Sequence, residues 1–168
     1  ADLNTAYDAI MEHARAVGGC QFVSYALNAM RIEKGYHGWG SDFGTEYNLF
    51  DAGLDRFANM TKGDFIGRDA VASQAQVRPD WEWIGLEMTQ ASPEPMSSDP
   101  IIKNGVRIGY VTSASYGYRC GKLLVLGYVK TGTLPMIVTS TRRVLGTDVG
   151  AVRHSPHVYD PENLRMKV

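Results

Sequence analysis

The residues best suited to chemistry lie in one short stretch, MRIEKGYHGWG, which runs from residue 30 to residue 40. It holds a guanidinium (Arg31), a carboxylate (Glu33) and two large aromatic side chains (Tyr36 and Trp39). A guanidinium can bind a carboxylate or a ring oxygen, and flat rings can pack against a flat ligand. Two interpretations stay open: the charges attach the following loop to a helix end, or the stretch contacts a ligand.

The spacing of Arg31 and Glu33 determines whether their side chains can pair with each other. Two positions apart on a helix, the side chains diverge by roughly 200° and cannot pair well with each other. Glu33 falls on the apolar face of the predicted helix, where a carboxylate must be paired, hydrogen-bonded or protonated. The nearest donors along the chain are the backbone N–H groups of the glycine-rich loop that follows. We therefore predict a structural role for Glu33, pinning this loop to the helix end.

A second candidate is the stretch from Tyr116 to Arg119, which lies between two predicted strands. Tyrosines beside an arginine can stack a flat ring and hold a carboxylate, although an amphipathic loop tip has the same composition. His154 and His157 are three residues apart, but Pro156 lies between them and no other ligand cluster is near. The sequence therefore predicts no metal site.

The predicted elements that position these residues are helices in the first part of the chain and strands in the second. Apolar periodicity predicts helices over 2–17, 21–34 and 63–76, with a long loop of scattered glycines between the last two. Alternation and β-branched residues predict strands over 81–88, 105–115, 122–129 and 134–141, and the stretch VLGTDVGAVRH is interpreted as a charged barrel loop. The predicted fold is α+β, with helices and a long loop first and a small antiparallel β-barrel after residue 78.

Composition narrows the class of function. The 168 residues carry a formal net charge of −1 and are 44% hydrophobic, so we expect a soluble globular chain without nucleic-acid partners. No apolar run approaches the roughly 20 residues that a membrane span needs. Cys20 and Cys120 lie far apart and form no CxxC pair, which is typical of reduced thiols. The expected compartment is cytoplasmic.

Several segments together carry a resemblance to a known family. The stretches YALNAMRIEKGYHGWGSDF, LFDAGLDRF, KGDFIGRDAV and GVRIGYVTSASYGYRCGKLLVLGYV are similar, in order, to the folate-dependent aminomethyltransferases, which include the glycine-cleavage T-protein. The resemblance implies that residues 1–78 are the C-terminal portion of a folate-binding domain. It implies that residues 79–168 are the C-terminal β-barrel domain of that family.

A subfamily is indicated by two further segments. The run EKGY at 33–36, Trp39 and the run YDPEN at 159–163 resemble the C-terminal regions of dimethylglycine and sarcosine dehydrogenases. Those proteins pair a flavin-dependent amine-oxidising domain with a folate module, so the resemblance makes FAD a candidate cofactor of an upstream domain. The T-protein commonly carries a folate-binding arginine at the place of Leu27, so that contact is in doubt here.

The resemblance implies tetrahydrofolate as cofactor and a small methylated amine as donor. The folate-binding residues predicted on this basis are Arg31, Tyr36, Trp39 and Tyr116, whereas the acidic residue that guides the chemistry lies upstream in the family. We therefore expect a fragment without a catalytic residue of its own, inactive alone. In such a fragment the apolar face of helix 2–17 would lie partly uncovered, which favours a homo-oligomer.

Two other functions stay open. The first is a folate-dependent demethylase that takes a methyl group from a sulfonium compound such as dimethylsulfoniopropionate. The second is a non-catalytic module that stabilises a partner or mediates assembly. The upstream sequence would separate the two enzymes, and the intact mass of the natural protein would test the assembly module.

Overall fold

The computed structural model describes residues 2–90, 93–134, 139–144 and 147–167, and these form helices first and strands afterwards. The helices are α1 (Leu3–Ala16), α2 (Ser24–Glu33) and α3 (Arg68–Gln74), with a short 3-10 helix at Asp55–Phe57. The strands are β1 (Trp81–Met88), β2 (Pro100–Lys103), β3 (Val106–Gly117), β4 (Lys122–Lys130), β5 (Thr139–Val144) and β6 (Thr147–His154). None of the helices in these ranges is long and apolar enough to cross a membrane.

The strands close into an antiparallel barrel in the order β1-β4-β3-β2-β5-β6. Strand β6 pairs with β1, from Gly85 opposite His154 to Met88 opposite Ala151, and this pairing completes the ring. A closed barrel has no unpaired edge strand, so every strand finds both neighbours within the chain. The predicted α+β class with a small antiparallel barrel is confirmed.

Strand β4 is the centre of the molecule because both of its faces are buried. Its residues from Leu123 to Val129 are all buried, although a strand with one solvated face would alternate. Leu123, Val125 and Val129 belong to the core inside the barrel. Leu124, Leu126 and Tyr128 belong to a second core outside the barrel, where Ile32 of α2 packs. Helix α2 is therefore attached to the barrel through the outer faces of β3 and β4.

The helices differ in how they are attached. Helix α2 contributes Ala29, Ile32 and Glu33 to the buried interior, whereas α1 contributes no buried residue. The side chain of Asp2 caps α1 by accepting a hydrogen bond from the backbone N–H of Asn4 at 3.1 Å. Helix α2 begins three residues later than predicted because Val23 is extended, with φ −117° and ψ 177°.

Several boundaries predicted from the sequence are wrong. The stretch interpreted as a charged loop contains β6, whose Val149 and Ala151 point into the barrel core. Strand β2 was missed because it has only four residues. Helix α3 begins at Arg68 because Gly67 has a left-handed φ of 88°. The predicted strand 134–141 overlaps β5 from Thr139, and residues 135–138 lie outside the described ranges.

Candidate functional site

A groove of about 610 Å³ lies between α2 and strand β3 of the barrel. This volume is in the range of small-molecule sites. Helix α2 and the residue before it give the groove an apolar wall, and the barrel side gives it aromatic and charged groups. The lining residues are Val23, Tyr25, Ala26, Asn28, Ala29, Met30, Glu33, Glu94, Ala114, Ser115, Tyr116, Tyr118 and Arg119. The groove is the candidate functional site.

The end of β3 and the turn after it form the rim of this groove. Tyr116 and Tyr118 meet edge to face, with ring centroids 5.2 Å apart and planes at 78°. Arg119 follows and is exposed, with its guanidinium carbon 5.9 Å from the ring centre of Tyr159. The interpretation of this stretch as a place for a flat ring stays a prediction.

Glu33 fixes the backbone of that turn. Its residue surface is 2% exposed, and its Oε1 accepts hydrogen bonds from the backbone N–H of Arg119 at 2.7 Å and of Cys120 at 3.0 Å. The prediction that its partners are in the glycine-rich loop is wrong, because the donors lie in the β3–β4 turn. A Cβ added at Gly117 would lie 2.9 Å from the Cγ and Oε1 of Glu33, so the turn approaches the carboxylate closely.

The contact with Glu33 also affects Cys120. Burial raises the pKa of the Cys120 thiol above its ordinary value, and the nearby Glu33 carboxylate raises it further. Both effects disfavour the thiolate. Cys120 is therefore a packing residue beneath the turn and not an activated nucleophile.

Arg31 is fully engaged with protein groups. Its Nε and Nη2 donate to Asn28 Oδ1 at 2.9 and 2.8 Å, and Nη2 also donates to Ser113 Oγ at 2.6 Å. Nη1 donates to the carbonyl oxygen of Tyr36 at 3.3 Å and forms an ion pair with Asp42. These contacts occupy all five N–H donors of a guanidinium. Binding of a ligand by Arg31 stays a prediction, and it requires Arg31 to release one of these partners.

Asp42 attaches the glycine-rich loop to the barrel. Its side chain is 0% exposed and accepts hydrogen bonds from the N–H of Gly38 at 2.8 Å and the hydroxyl of Thr112 at 2.5 Å, besides its ion pair with Arg31. Sequence reasoning missed Asp42. The one available signal was that Asp42 is the first acidic residue after Arg31 and Glu33, in a stretch that follows an arginine without a partner on its own helix. The loop is therefore held by Arg31 and Asp42 and not by Glu33.

The other two predicted ligand residues lie away from the groove. Tyr36 faces the C-terminal segment, where its hydroxyl donates to Asn163 Oδ1 at 3.4 Å. Trp39 is 71% exposed and packs edge to face on Phe43 with centroids 5.1 Å apart. Of the four predicted folate-binding residues, Tyr116 is the one that lines the groove. The roles of the other three in ligand binding stay predictions.

The two segments that indicated a subfamily contact each other. Nζ of Lys34, in the run EKGY, donates to the carbonyl oxygen of Asp160 at 2.7 Å and to Asn163 Oδ1 at 2.6 Å, both in the run YDPEN. The carbonyl oxygen of Glu33 accepts from the N–H groups of Val158 at 3.2 Å and Tyr159 at 2.9 Å. The C-terminal segment is thereby fastened to the end of α2.

His37 is a partly buried residue of the glycine-rich loop. Its ring stacks on Trp83 at 3.7 Å and 25°, and its Nε2 donates to the carbonyl oxygen of Ala52 at 2.9 Å. Burial lowers the pKa of His37 below its ordinary value of 6.5. Arg56 and His157 lower the pKa as well, while Asp42 opposes them. The buried ring therefore disfavours the imidazolium form.

This shift predicts a pH dependence of stability. Below about pH 6.5 the unfolded chain binds a proton at His37 that the folded chain resists, so acidification favours unfolding until the folded pKa is passed. We expect the loss of unfolding free energy between pH 7.5 and pH 5.5 to be smaller in His37→Gln than in the parent chain. Urea unfolding at both pH values measures it. The exposed His13→Gln variant is the control, and equal pH dependence in all three chains would contradict the prediction.

The fold is shared with a solved aminomethyltransferase. The structure of the glycine cleavage system aminomethyltransferase T from Bartonella henselae superposes with a TM-score of 0.73, covering 81% of this chain and 38% of that one. Sequence identity over the match is 24%, so this likeness shows the fold alone. The class defined by this fold is an antiparallel β-barrel with helix α2 packed on its outer face.

Sequence comparisons identify the family. The glycine cleavage T-protein C-terminal barrel domain matches residues 82–160, and the GCVT N-terminal domain matches residues 1–62. Together these matches cover most of the chain, which therefore belongs to the glycine cleavage T-protein family. The resemblance stated from the sequence is confirmed, whereas the division of the chain at residue 78 stays a prediction.

Individual relatives are much longer than this chain. Human mitochondrial dimethylglycine dehydrogenase is 34% identical over 124 residues, which are 73% of this chain and 14% of the relative. An aminomethyltransferase from Moorella thermoacetica is 33% identical over 109 residues, 65% of this chain and 30% of the relative. The mitochondrial pyruvate dehydrogenase phosphatase regulatory subunit of Mus musculus is 33% identical over 128 residues, 73% of this chain and 15% of the relative.

Proposed function

We propose that this chain is the folate-facing C-terminal part of a transferase that passes a one-carbon unit from a methylated amine to tetrahydrofolate. The observation that carries the proposal is the position of the groove. Helix α2 belongs to the region matched by the N-terminal family domain, and β3 belongs to the region matched by the barrel domain. The groove between them is lined by Tyr116 and Tyr118, whose rings suit a pterin or benzoyl ring.

The donor is proposed from the relatives. One of them is by name a dimethylglycine dehydrogenase, which supports a methylated amine such as dimethylglycine or sarcosine. The runs EKGY and YDPEN both resemble that subfamily, and hydrogen bonds join them to each other. This contact supports the same subfamily. In this proposal FAD belongs to an upstream domain that oxidises the amine, and the chain described here receives the product.

In the proposed reaction, the main role of these residues is to position the ligand. Transfer of an amine-bound carbon to folate needs no covalent protein nucleophile, because the enzyme binds the pterin, excludes water and positions one carboxylate to guide protons. Glu33 is the buried carboxylate nearest the groove, and its Oε1 is occupied by two amide donors. The guiding acid therefore lies outside these residues in our proposal, and the chain alone is inactive.

The test separates binding from turnover. The full-length protein is titrated with tetrahydrofolate by calorimetry, and both it and the chain 1–168 are assayed with tetrahydrofolate and dimethylglycine or sarcosine. We expect folate binding and transfer by the full-length protein and no turnover by the chain. Turnover by the chain alone contradicts its inactivity. Transfer from dimethylsulfoniopropionate in place of the amines would favour the sulfonium demethylase.

A second candidate function is a non-catalytic regulatory module, and one relative favours it. The relative from Mus musculus is by name a regulatory subunit of a phosphatase. In this alternative the groove and the apolar surface of α1 hold a protein partner. The full-length protein would then bind no tetrahydrofolate, so the titration described above distinguishes the two functions.

We also propose that this chain forms a homo-oligomer in a cytoplasmic compartment. Leu3, Ile10 and Val17 of the α1 region are exposed by 82%, 67% and 85%, and such an apolar stripe favours self-association. Sedimentation at tens of micromolar should show a species larger than a monomer, and Ile10→Glu should shift it to the monomer. The exposed polar substitution Glu12→Gln is the control. A monomeric parent chain would contradict the proposal.

A further inference from the structure

A separate cleft of about 310 Å³ lies between the loop that precedes the 3-10 helix and the segment that joins α3 to β1. We call it the linker cleft. Its walls carry charges of both signs beside neutral polar side chains, and the residues used below are Asn48, Asp51, Ser73, Gln74, Arg78 and Asp80. None of these residues lines the groove between α2 and β3. The volume is in the range of sites for small molecules.

Asp51 gives the linker cleft a buried carboxylate. The residue is 7% exposed, its Oδ1 accepts a hydrogen bond from the N–H of Trp81 at 3.1 Å, and its Oδ2 accepts one from the N–H of Asn48 at 3.3 Å. It forms no ion pair with any side chain that the structure describes. Buried charges in proteins are usually paired, and each carboxylate oxygen can accept more than one hydrogen bond. Asp51 can therefore accept an ammonium group from a ligand.

Arg78 supplies the opposite charge at the same cleft. The residue is exposed, and its guanidinium forms no hydrogen bond or ion pair within the part of the chain that the structure describes. A Cβ added at Gly132 would lie 2.5 Å from its Nη2, so the guanidinium rests against the turn that follows β4. A guanidinium binds a carboxylate well, often through two parallel hydrogen bonds. Arg78 is therefore available to a carboxylate of the ligand.

We propose that the linker cleft binds a small zwitterionic amino acid, with its ammonium group on Asp51 and its carboxylate on Arg78. A ligand that is only anionic would meet two carboxylates, because Asp80 also lines the cleft. A ligand that is only cationic would leave the guanidinium without a partner. The hydroxyl of Ser73 and the amide of Gln74 can accept or donate hydrogen bonds beside these charges. This site goes beyond the proposed function, since it involves neither folate nor the transfer step.

The experiment compares three probes of nearly the same shape by calorimetry on the 168-residue chain. L-Alanine carries both charges, isobutyrate replaces the ammonium group by a methyl group, and isopropylamine replaces the carboxylate by a methyl group. We expect L-alanine to bind at least about tenfold more tightly than either of the other two probes, because each of them lacks one charged contact. Arg78→Gln should weaken the binding of L-alanine about tenfold and leave that of isopropylamine unchanged. Arg15→Gln, on an exposed position of α1, is the matched control.

A second variant tests the carboxylate. Asp51→Asn should abolish the preference for L-alanine over isobutyrate, and circular dichroism checks that this variant is folded. Equal binding of L-alanine and isobutyrate by the parent chain would show that the ammonium group is not recognised, and the inference would be wrong whether or not the variant folds. Binding of L-alanine by Arg78→Gln as tightly as by the parent, or no binding by the folded parent, would also overturn it. None of these results bears on the proposed function, which the folate titration tests.

Discussion

Replacing Asp42 by alanine is expected to lower the free energy of unfolding by about 3 kcal/mol, because it breaks a buried ion pair from one side. The Asp42 side chain is 0% exposed and that of Arg31 is 17% exposed, so the remaining guanidinium would be left largely desolvated. The N–H of Gly38 and the hydroxyl of Thr112 would lose their acceptor as well. Urea denaturation followed by circular dichroism measures the change.

A double-mutant cycle shows whether the pair itself is responsible. Arg31→Met, Asp42→Leu and the double variant are compared with the parent chain, and we expect the double variant to be less destabilised than the sum of the two single changes. The exposed pair Lys122 and Glu87, with side chains 45% and 35% exposed, is the control. Lys122→Ala should destabilise the chain far less than Asp42→Ala. Additive effects at Arg31 and Asp42 would contradict a coupled pair.

The helices and strands that could be predicted from the sequence are those in which apolar side chains recur with a regular period. Strand β1 was predicted at 81–88 with the bounds that the structure gives, because its sequence WEWIGLEM has both the composition and the flanking turn of a strand. Helix α1 was predicted to within one residue at each end from its apolar periodicity. Patterns of this kind are local, so they need no knowledge of the fold.

Strand β6 shows where the local pattern is insufficient. Asp148 and Arg153 give the segment the composition of a charged loop, yet its backbone pairs with both β1 and β5. Ring closure of the barrel supplies these pairings, and the neighbours that make them are distant in sequence. The strand is therefore specified by tertiary pairing more than by its own residue types.

At the candidate site, too, local helix geometry could be predicted from the sequence, whereas contacts between distant residues could not. Helix geometry predicted that Arg31 and Glu33 point apart and that each needs an outside partner, and the hydrogen bonds confirm this. Which partner each one takes could not be predicted, because Asp42 lies in an irregular loop and the Arg119 amide is 86 residues from Glu33. The predicted role of Glu33 was consequently wrong: Arg31 holds the loop, and Glu33 holds the barrel turn.

Glu33→Ala is the second substitution with a large expected effect, and it should destabilise the chain by about 2 to 4 kcal/mol. The change leaves the amides of Arg119 and Cys120 without an acceptor in a partly buried setting, and a fully buried group of this kind costs about 1–3 kcal/mol. It also removes the attachment of the groove rim to α2. Urea unfolding measures the total, and hydrogen exchange measures the two amides individually.

The pattern of exchange identifies the cause, because a general loss of stability would raise exchange throughout the barrel. We expect the amides of Arg119 and Cys120 to lose protection far more than those of the central β4 residues, since only the turn loses a direct partner. Glu33→Gln keeps an oxygen acceptor and should retain part of the protection. Glu12→Ala, on the exposed face of α1, should change stability by less than about 0.5 kcal/mol. Unchanged protection of the two amides in Glu33→Ala would show that the turn holds its shape without the carboxylate, and Glu33 would then not position Arg119.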